Sequence, residues 1–344
     1  MKRLILCICT LLIQAQSYGS VSSIHSRNGL LDNFTRGIRL SGNRLLDTLK
    51  LADPTIFLDD DTYYLYGTSS NNGFLVYQSK DLVHWGKPAG KNNGLALTKG
   101  ESYGTKGFWA PQVFKHNGRY YMIYTANEQL AIASADHPLG PFKQKEIKHL
   151  SASGKQIDPF VYFDPNGKVY LYHVRLQEGN RIFVSEMKPD LSDFASSEAT
   201  ECIAAVAPWE NTANASWPVS EGPTVFKDGK TYYMLYSAND FRNPDYAVGY
   251  ATATSPLGPW KKYAGNSILH KEMFGRNGTG HGDLLKDKGG KWQYVFHAHK
   301  SNQQAEPRVT AIVPVIFNGD QTTRSSFTIQ HKDFKFLEGE TVRN

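Results

Sequence analysis

The chain contains 344 residues, of which 40% are hydrophobic and 20% are charged, and it carries a formal net charge of +6. This is an ordinary globular composition, and its lysines and arginines form no basic block, so we expect no nucleic-acid partner and no anionic membrane partner. The 19 tyrosines and 18 phenylalanines favour strands over helices.

The N-terminal segment has the pattern of a secretory signal peptide over residues 1–19. Lys2 and Arg3 provide the charged region, residues 4–13 are almost all apolar, and the small residues near Gly19 suit cleavage. A run of about ten apolar residues is too short to span a bilayer, which takes about 20. We therefore expect a secreted or periplasmic protein without a membrane span.

The three cysteines are Cys7, Cys9 and Cys202. Cys7 and Cys9 lie inside the apolar segment and do not follow the small residues of a lipoprotein attachment site, so a lipid anchor is disfavoured. If both leave with the signal peptide, Cys202 is left unpaired, and we expect no internal disulfide bond. The expected mature product is a monomer over residues 20–344.

Residues 20–344 contain five copies of one pattern: a small or acidic residue, proline or a substitute, two apolar residues, a turn and an aromatic strand. The copies begin at Asp53-Pro54, Ala110-Pro111, Asp158-Pro159, Gly222-Pro223 and Gly282-Asp283. Several of the turns contain Asn-Gly or Asp-Gly, which predicts β-hairpins. A repeat of this period indicates a propeller or a solenoid.

A third apolar strand and a fourth segment follow the hairpin in the successive copies. The fourth segments are expected after Leu82, Leu139, Leu191 and Leu257, each of which is followed three residues later by an aromatic residue. Four strands per repeat predict an all-β fold, a five-bladed β-propeller with four-stranded antiparallel blades around a central channel. Residues 309–317 and 327–336 are expected to complete the fifth blade, and residues 21–50 to close the ring.

The first strand of each blade lines the central channel of a propeller, and its first residues face the channel mouth. The residue before the proline position is Asp53, Ala110, Asp158, Gly222 or Gly282, and the residue before that is Ala52, Trp109, Ile157, Glu221 or His281. Because alanine, glycine and isoleucine also occur at these positions, the fold does not require polar residues there. Asp53, Asp158 and Glu221 are therefore candidates for catalysis.

Three carboxyl groups around one cavity suit the hydrolysis of a glycosidic bond. One carboxylate activates water as a base, a carboxylic acid protonates the leaving oxygen, and a third carboxyl adjusts the pKa of the acid. The charge of a nearby aspartate would raise the pKa of Glu221, which makes Glu221 the expected acid. Asp-Pro alone is a weak signal, since aspartate before proline is also common in turns.

Five motifs occur in an order that resembles glycoside hydrolase family 43. They are Ala52-Asp53-Pro54, Trp109-Ala110-Pro111, Ile157-Asp158-Pro159, Ser220-Glu221-Gly222-Pro223 and Gly280-His281-Gly282. The resemblance covers nearly the whole chain after the signal peptide and implies a five-bladed propeller that hydrolyses glycosides with inversion. By position it implies that Asp53 is the general base, Glu221 the general acid, and Asp158 the residue that orients Glu221 and adjusts its pKa.

Three more residues are candidates for substrate binding. Trp109 is expected to pack on the C–H face of a sugar, with a place in the core between blades as the alternative. His281 resembles a family histidine that reaches the channel centre, and a buried core histidine is the alternative. Arg308 resembles a last-blade arginine that binds substrate hydroxyls or supports the acid, and a surface arginine is the alternative.

Phe108 and Trp217 lie near the starts of strands and are also expected to shape the substrate pocket. The long stretch from Ala195 to Pro218 favours a closed pocket and exo action. No cofactor is expected to be required. The resemblance further implies that calcium or another ion can sit in the channel at His281, directly or through water, although calcium prefers oxygen ligands.

The sequence therefore predicts a secreted inverting glycoside hydrolase acting on oligo- or polysaccharides. Within the family we expect an exo-acting α-L-arabinofuranosidase that removes side chains from a plant or microbial polysaccharide. β-Xylosidase, β-galactofuranosidase, galactosidase and endo-arabinanase activities are alternatives. A non-catalytic carbohydrate-binding propeller, or a propeller used for protein interaction, would be a different class of protein.

Overall fold

The computed structural model describes residues 39–41, 44–151, 153–320 and 324–340. The predicted signal peptide over residues 1–19, with Cys7 and Cys9, lies outside the described residues. Helix in the described ranges is confined to α1 (Lys271–Phe274) and to 3₁₀ turns at Pro208–Glu210 and His331–Asp333. No helix there is long and apolar enough to cross a membrane.

The rest of the described chain consists of strands and their connections. The strands of the first two repeats are β1 (Arg39–Ser41), β2 (Arg44–Thr48), β3 (Ala52–Asp59), β4 (Thr62–Thr68), β5 (Gly73–Ser79), β6 (His84–Trp85), β7 (Leu95–Thr98), β8 (Trp109–His116), β9 (Arg119–Ala126) and β10 (Gln129–Ala135). Those of the third and fourth repeats are β11 (Gln156–Phe163), β12 (Val169–Leu176), β13 (Asn180–Met187), β14 (Thr200–Ile203), β15 (Ser220–Asp228), β16 (Thr231–Ala238), β17 (Ala247–Ala253) and β18 (Lys261–Lys262). The remaining strands are β19 (Gly280–Lys286), β20 (Trp292–Ala298), β21 (Val309–Phe317), β22 (Phe327–Ile329), β23 (Lys335–Phe336) and β24 (Glu338–Glu340).

The described strands form five sheets. The first has the order β3-β4-β5-β6 and is extended at its outer edge by β24, β2 and β1. The other four follow chain order: β8-β9-β10, β11-β12-β13-β14, β15-β16-β17-β18 and β19-β20-β21-β22. Because β24 pairs with both β6 and β2, the two ends of the described chain meet in the first sheet.

The inner strands β3, β8, β11, β15 and β19 contact one another in cyclic order, and β19 returns to β3. The sheets therefore surround a common axis, and the predicted all-β propeller is confirmed. Five hydrophobic clusters fill the spaces between neighbouring sheets. Both faces of β4 are consequently covered, and residues 63–66 are each at most 6% exposed. This packing explains why the second strands are continuous aromatic runs rather than alternating ones.

The prediction of four strands in every blade is wrong for the second sheet, which has three in the described chain. Its outer edge continues only as a single bridge between Ser134 and Lys143. The amide of Gln144 donates to the carbonyl of Ile132 at 3.0 Å and so occupies an acceptor that a fourth strand would use. In the third sheet the fourth strand is β14, whereas the predicted segment after Leu191 makes one isolated bridge.

The hairpin turns at the bottom of the inner strands join neighbouring sheets. Asp59 accepts a hydrogen bond from Tyr120 of the next sheet at 2.7 Å, and Asp164 accepts one from Tyr232 at 2.7 Å. The ammonium of Lys115 in the second sheet also donates to Oδ1 of Asp59 at 3.1 Å. The acidic turn residues therefore hold neighbouring blades together, at the end of the channel opposite the bulges described next.

Each inner strand contains a β-bulge near its start. The bulged residues have left-handed φ angles, which are 48° for Asp53, 44° for Ala110, 55° for Asp158, 60° for Gly222 and 39° for His281. Such angles are uncommon for residues other than glycine, and a bulge re-aims the side chain that it carries. His281 therefore occupies the position in its strand that Asp53 and Asp158 occupy in theirs, whereas the alignment of the sequence repeats made it equivalent to Glu221. That alignment was one residue out of register, because Gly282 occupies the place of the prolines.

Candidate active site

The backbone N–H groups of the bulged residues donate hydrogen bonds to side chains, here called caps, of the neighbouring sheet. These bonds fix the height of the candidate residues along the channel. Four of the five caps are side chains at the end of a second strand. They are Thr68 for Ala110 at 3.0 Å, Thr125 for Asp158 at 3.0 Å, Ser237 for His281 at 2.7 Å and His297 for Asp53 at 3.2 Å. A buried N–H needs such a partner, so the caps lock each bulge in place.

The cap between the third and fourth sheets differs from the others. Val174 stands at the capping position of the third sheet, and its side chain has no acceptor atom. The N–H of Gly222 instead donates to Oδ2 of Asp158 at 3.3 Å. The carboxyl group of Asp158 is thereby held against the strand that carries Glu221.

A cavity of about 410 Å³ opens above the bulges. All three candidate carboxyl groups contribute to its wall. The other lining residues are Lys50, Ala52, Thr68, Ser69, Trp109, Ile157, Asn180, Asp240, Phe241, His281, Glu306, Pro307 and Arg308. The structure therefore brings the predicted trio together with Trp109, His281 and Arg308.

Asp53 is 7% exposed and is surrounded by positive or donating groups. Its Oδ1 accepts from Nη1 of Arg308 at 2.8 Å, and its Oδ2 accepts from the hydroxyl of Thr68 at 2.7 Å. Nδ1 of His281 and Nδ1 of His297 each lie 3.3 Å from Oδ1. Burial favours the neutral carboxyl, but Arg308 and, to a smaller extent, His281 outweigh it and hold the pKa of Asp53 well below its ordinary value.

Glu221 is 8% exposed and lies at the start of β15. Its Oε1 accepts from the hydroxyl of Tyr246 at 2.8 Å, and its Oε2 accepts from the amide of Asn180 at 2.9 Å. Burial raises the pKa of Glu221 to about 7, and the charge of Asp53 adds to the rise against the opposing effect of the two donors. The sequence argument named a neighbouring aspartate as the cause of this rise, whereas burial is the larger one.

Asp158 is 6% exposed and lies at the bulge of β11. Burial, followed by the charges of Glu221 and Asp53, raises the pKa of Asp158 well above its ordinary value. One oxygen of Asp158 and one of Glu221 lie within 4.8 Å of each other. Two buried carboxyls this close cannot both ionise readily, so the pair retains a proton at neutral pH.

Among the residues that the structure describes, Asp158, Glu221 and His281 form a group that could hold a metal ion, since their ligand atoms lie within 4.8 Å of one another. Calcium takes six to eight oxygen ligands, and this group supplies two carboxyls and one imidazole. A cation bound to all three would also ionise Glu221 and remove its proton. The group therefore fits calcium poorly, we derive no reaction step through a metal, and an ion at His281 stays a prediction.

The remaining predicted residues lie in different surroundings. Trp109 is 37% exposed and lines the cavity, so it is not part of the core. The side chain of Arg308 is 11% exposed and pairs with Asp53, so it is not a surface arginine. Trp217 is 48% exposed and donates its indole N–H to Oδ1 of Asn180 at 2.9 Å. Contact of these three side chains with substrate stays a prediction.

The prediction that Phe108 shapes the pocket is corrected by the structure. Phe108 is 1% exposed and stacks on Tyr124, with ring centroids 6.1 Å apart. It belongs to the hydrophobic cluster between the first and second sheets. Successive side chains of an extended chain point to opposite sides, so Phe108 faces the core where Trp109 faces the cavity.

Several residues of the site were missed by the sequence analysis. Asn180, Tyr246 and His297 lie on second or third strands or their connections, and Asp240 and Phe241 on a loop. Thr68 and His297 could have been found by comparing the residues that end the aromatic strands, which are Thr68, Thr125, Val174, Ser237 and His297. Asn180, Tyr246, Asp240 and Phe241 stand outside the repeated pattern and gave no signal.

The geometry separates two carboxyl groups by function. Asp53 is kept ionised by Arg308, and Glu221 is kept protonated to about neutral pH by burial. Two carboxyl groups whose surroundings push their pKa values apart can serve as base and acid in one reaction. The cavity between them is lined by aromatic, polar and charged side chains, as expected for a small polar ligand.

Comparison with known proteins gives the family. The sequence profile of the glycosyl hydrolases family 43 matches residues 47–323. A solved structure titled as an endo-1,4-beta-xylanase from Bacteroides thetaiotaomicron has a TM-score of 0.77 and 36% identity, covering 86% of this chain and 98% of that one. A thermostable family-43 glycoside hydrolase has a TM-score of 0.73 and 34% identity, covering 82% of this chain and 93% of that one.

Curated relatives are more distant and longer. A xylosidase/arabinosidase from Butyrivibrio fibrisolvens is 26% identical over 72% of this chain, and a non-reducing end alpha-L-arabinofuranosidase from Bacteroides ovatus is 27% identical over 78%. The matches cover 49% and 50% of those two proteins, so the chain spans about half the length of the curated relatives it matches. The profile, the two solved structures and the propeller fold agree, and the chain belongs to the glycosyl hydrolases family 43.

Proposed function

We propose that this protein hydrolyses glycosidic bonds by a single displacement with inversion, using Asp53 as base and Glu221 as acid. The observation that carries the proposal is the different setting of two carboxyl groups in one cavity: Asp53 pairs with Arg308 at 2.8 Å, which lowers its pKa, whereas the burial of Glu221 raises its pKa to about 7. Near neutral pH one group is therefore able to accept a proton and the other to donate one.

The proposed reaction proceeds in one step. Asp53 takes a proton from a water molecule, and the water oxygen attacks the anomeric carbon of the sugar. Glu221 delivers its proton to the glycosidic oxygen as the bond between that oxygen and the anomeric carbon breaks. After the products leave, Asp53 loses its proton and Glu221 regains one, which restores the starting state.

Asp158 and Arg308 support the two reacting carboxyl groups in this proposal. Arg308 keeps Asp53 ionised and aims its Oδ1, while Oδ2 stays fixed by Thr68. Asp158 and Glu221 lie so close together that the ionisation of one disfavours the ionisation of the other. The hydrogen bond from Gly222 holds Asp158 against β15, which supports the predicted role of orienting the acid.

For the substrate we propose an α-L-arabinofuranoside at the end of a polysaccharide side chain, cleaved in exo fashion. The names of relatives support this choice, among them the enzyme from Bacteroides ovatus and an arabinoxylan arabinofuranohydrolase from Bacillus subtilis. The polar side chains of Lys50, Asp240 and Glu306, which line the same cavity as the three carboxyl groups, also support a pocket for a terminal sugar. β-Xylosidase, galactofuranosidase, galactosidase and endo-acting activities are the competing outcomes.

The test is hydrolysis of 4-nitrophenyl α-L-arabinofuranoside, β-D-xyloside, β-D-galactofuranoside and β-D-galactopyranoside, with the Asp53→Asn protein as the matched blank. Release from the arabinofuranoside, absent from the blank, is expected, and proton NMR of the first product should show the inverted anomer. Retention of configuration would contradict the mechanism. Cleavage only of polymeric arabinan or xylan would replace the exo proposal by an endo one. Sugar binding without turnover would indicate a carbohydrate-binding propeller.

We also infer that the five sheets correspond to five blades, because each contributes one bulged inner strand to the ring. Export to the periplasm or the medium is proposed from the charged and apolar pattern of residues 1–19. A monomeric state is likewise proposed. Cell fractionation and light scattering of the purified protein test these two proposals.

A further inference from the structure

A hydrogen-bonded chain of three side chains leads from the general acid to the surface. Trp217 donates its indole N–H to Oδ1 of Asn180 at 2.9 Å, and the amide of Asn180 donates to Oε2 of Glu221 at 2.9 Å. Asn180 lines the cavity, whereas Trp217 is 48% exposed. The aromatic ring therefore stands just outside the cavity, on the side of Glu221.

The indole N–H fixes how Asn180 faces the acid. A tryptophan N–H can only donate, so it requires the carbonyl oxygen of the Asn180 amide. The NH₂ group is then turned towards Glu221, where it can donate but cannot accept the proton of the carboxylic acid. Without Trp217 the amide could rotate and offer Oδ1 to the protonated acid, in competition with the glycosidic oxygen.

The segment that carries Trp217 is firmly attached to the fold. The backbone N–H of Asn180 donates to the carbonyl of Pro218 at 2.9 Å. Gly179 has a φ of 125° and packs so closely on Pro218 that a side-chain carbon would lie 2.5 Å from the Pro218 oxygen. Such an attachment presents the Trp217 ring in one position, which lowers the entropic cost of binding to it.

The connection before Trp217 is anchored by a buried carboxylate. Glu210 is 0% exposed and accepts from the backbone N–H groups of Val206 and Ala207 at 2.8 and 2.7 Å. It also accepts from Tyr236 at 2.7 Å and from Lys262 at 2.6 Å. An exposed tryptophan on a loop held this tightly is a rigid aromatic surface rather than part of a mobile segment.

We propose that Trp217 and Asn180 form a subsite for the leaving group, in which a sugar ring packs on the indole while Asn180 positions Glu221. The inference rests on the proposed function, because a general acid must lie beside the departing oxygen, and the leaving group therefore departs past Glu221. An aromatic face suits the C–H face of a sugar. The expected leaving group is accordingly a sugar residue of an oligo- or polysaccharide rather than a small alcohol.

The titratable and charged groups that face Glu221 from the surrounding elements also influence its pKa, so a pH test must leave them unchanged. They are Asp53, Asp158, Tyr246, His281, Arg242 and Arg308. None of these is altered in the variants below. A shift in the basic limb of the pH–rate profile can therefore be assigned to the contact between Asn180 and Glu221.

The experiment compares two substrates with the same terminal sugar, namely the one found in the glycoside panel. One is its methyl glycoside, and the other is a disaccharide in which it is linked to a second sugar. Both need protonation of the leaving oxygen, but only the disaccharide offers a ring to Trp217. Trp217→Ala is expected to raise KM for the disaccharide about fivefold to tenfold, the loss of one favourable ring contact, and to leave KM for the methyl glycoside unchanged.

Trp217→Phe separates the two roles, because phenylalanine keeps an aromatic face but has no N–H. The KM of Trp217→Phe for the disaccharide should stay near the wild-type value. The basic limb of its pH profile of kcat/KM should move to higher pH, and the same shift is expected in Asn180→Ala. A purely structural role would not move that limb. Val206→Ala is the matched control, since Val206 is 81% exposed on the same connection; it should change neither readout.

Equal effects of Trp217→Ala on both substrates would overturn the subsite, and an unchanged pH profile in Trp217→Phe and Asn180→Ala would overturn the positioning role. Both results require an active wild-type enzyme and leave the proposed hydrolysis intact. A wild-type protein that cleaves no glycoside would instead refute the proposed function and this inference with it. The two failures are thus distinguishable in one set of assays.

Discussion

The hydroxyl of Tyr246 donates to Oε1 of Glu221 at 2.8 Å, while the Tyr246 ring stacks on the imidazole of His297, with centroids 5.5 Å apart. His297 in turn accepts the backbone N–H of Asp53 at 3.2 Å. The surroundings of the two opposed carboxyl groups are therefore packed against each other. A change at Tyr246 should be felt first by the acid, because the direct hydrogen bond is there.

Tyr246→Phe should shift the basic limb of the pH–rate profile to higher pH. The lost donor stabilised the ionised form of Glu221, so its removal raises the pKa of the acid by about one unit. The measurement is kcat/KM between pH 5 and 9. Tyr66→Phe is the matched control, because Tyr66 donates to the carbonyl of Pro138 and not to a catalytic group. A shift of the limb to lower pH in Tyr246→Phe would contradict the assignment of Glu221.

Glu221→Gln should lower the rate on natural glycosides by about 10²–10⁴-fold, the usual loss for a positioned acid. The loss should be smaller on 4-nitrophenyl glycosides, since nitrophenolate leaves without full protonation. Steady-state kinetics on both substrate types measure the difference. Wild-type turnover of an unactivated disaccharide by this variant would rule out Glu221 as the acid.

Asp53→Asn should abolish turnover of both substrate types, because the activation of water does not depend on the leaving group. The expected loss is again about 10²–10⁴-fold. Circular dichroism should show an intact fold, since the carbonyl oxygen of asparagine can still accept from Arg308 while its NH₂ group donates to the hydroxyl of Thr68. A variant that kept activity on nitrophenyl substrates alone would indicate that Asp53 and Glu221 have been assigned in the wrong order.

The raised pKa of Glu221 should make the fold less stable as the pH rises. A carboxyl whose pKa is about 7 in the folded chain and near 4.5 in the unfolded chain binds its proton more tightly when folded. Its contribution is therefore complete below about pH 4.5 and is lost as the pH rises through 7. Glu221→Gln cannot ionise, so its Tm relative to wild type should be higher at pH 8 than at pH 5. A difference in Tm that does not depend on pH would contradict the raised pKa.

Glu210→Ala should destabilise the fold by about 3–5 kcal/mol, because it leaves the cation of Lys262 and several buried donors without their acceptor. Urea denaturation measures the change in the free energy of unfolding. Glu178→Gln is the matched control, since Glu178 is an exposed carboxylate that pairs with Arg181 at 3.2 Å, and its effect should be below about 1 kcal/mol. Equal losses in the free energy of unfolding of the two variants would show that the buried carboxylate of Glu210 stabilises the fold no more than an exposed one.

The repeated pattern was sufficient to predict the all-β propeller and the meeting of Asp53, Asp158 and Glu221. The reason is that each copy carries its own hairpin, and the first strand of every blade must face the axis. Positions that vary from copy to copy without harm to the fold could then be separated from those that the fold requires. Ala110 and Gly222, for example, occupy bulges equivalent to those of the two aspartates.

Other features depended on contacts that no local pattern encodes. The register of His281 was wrong by one residue, because the bulge rather than the proline position sets the alignment. Phe108 was placed in the pocket, although it points away from its neighbour Trp109 into the core. The second sheet has no fourth strand in the described chain, and the side chain of Gln144 donates to the carbonyl of Ile132 at its outer edge.

The sequence by itself determined the fold class, the family and the three carboxyl groups, since these follow from repetition and from residue types at fixed positions. Only the tertiary structure decided which carboxyl is ionised and which keeps its proton. That outcome depends on Arg308, which keeps Asp53 ionised, and on the burial of Glu221, which outweighs the opposing hydrogen bonds from Tyr246 and Asn180. A pKa is set by burial and by charges a few ångströms away, and those distances exist only after the chain has folded.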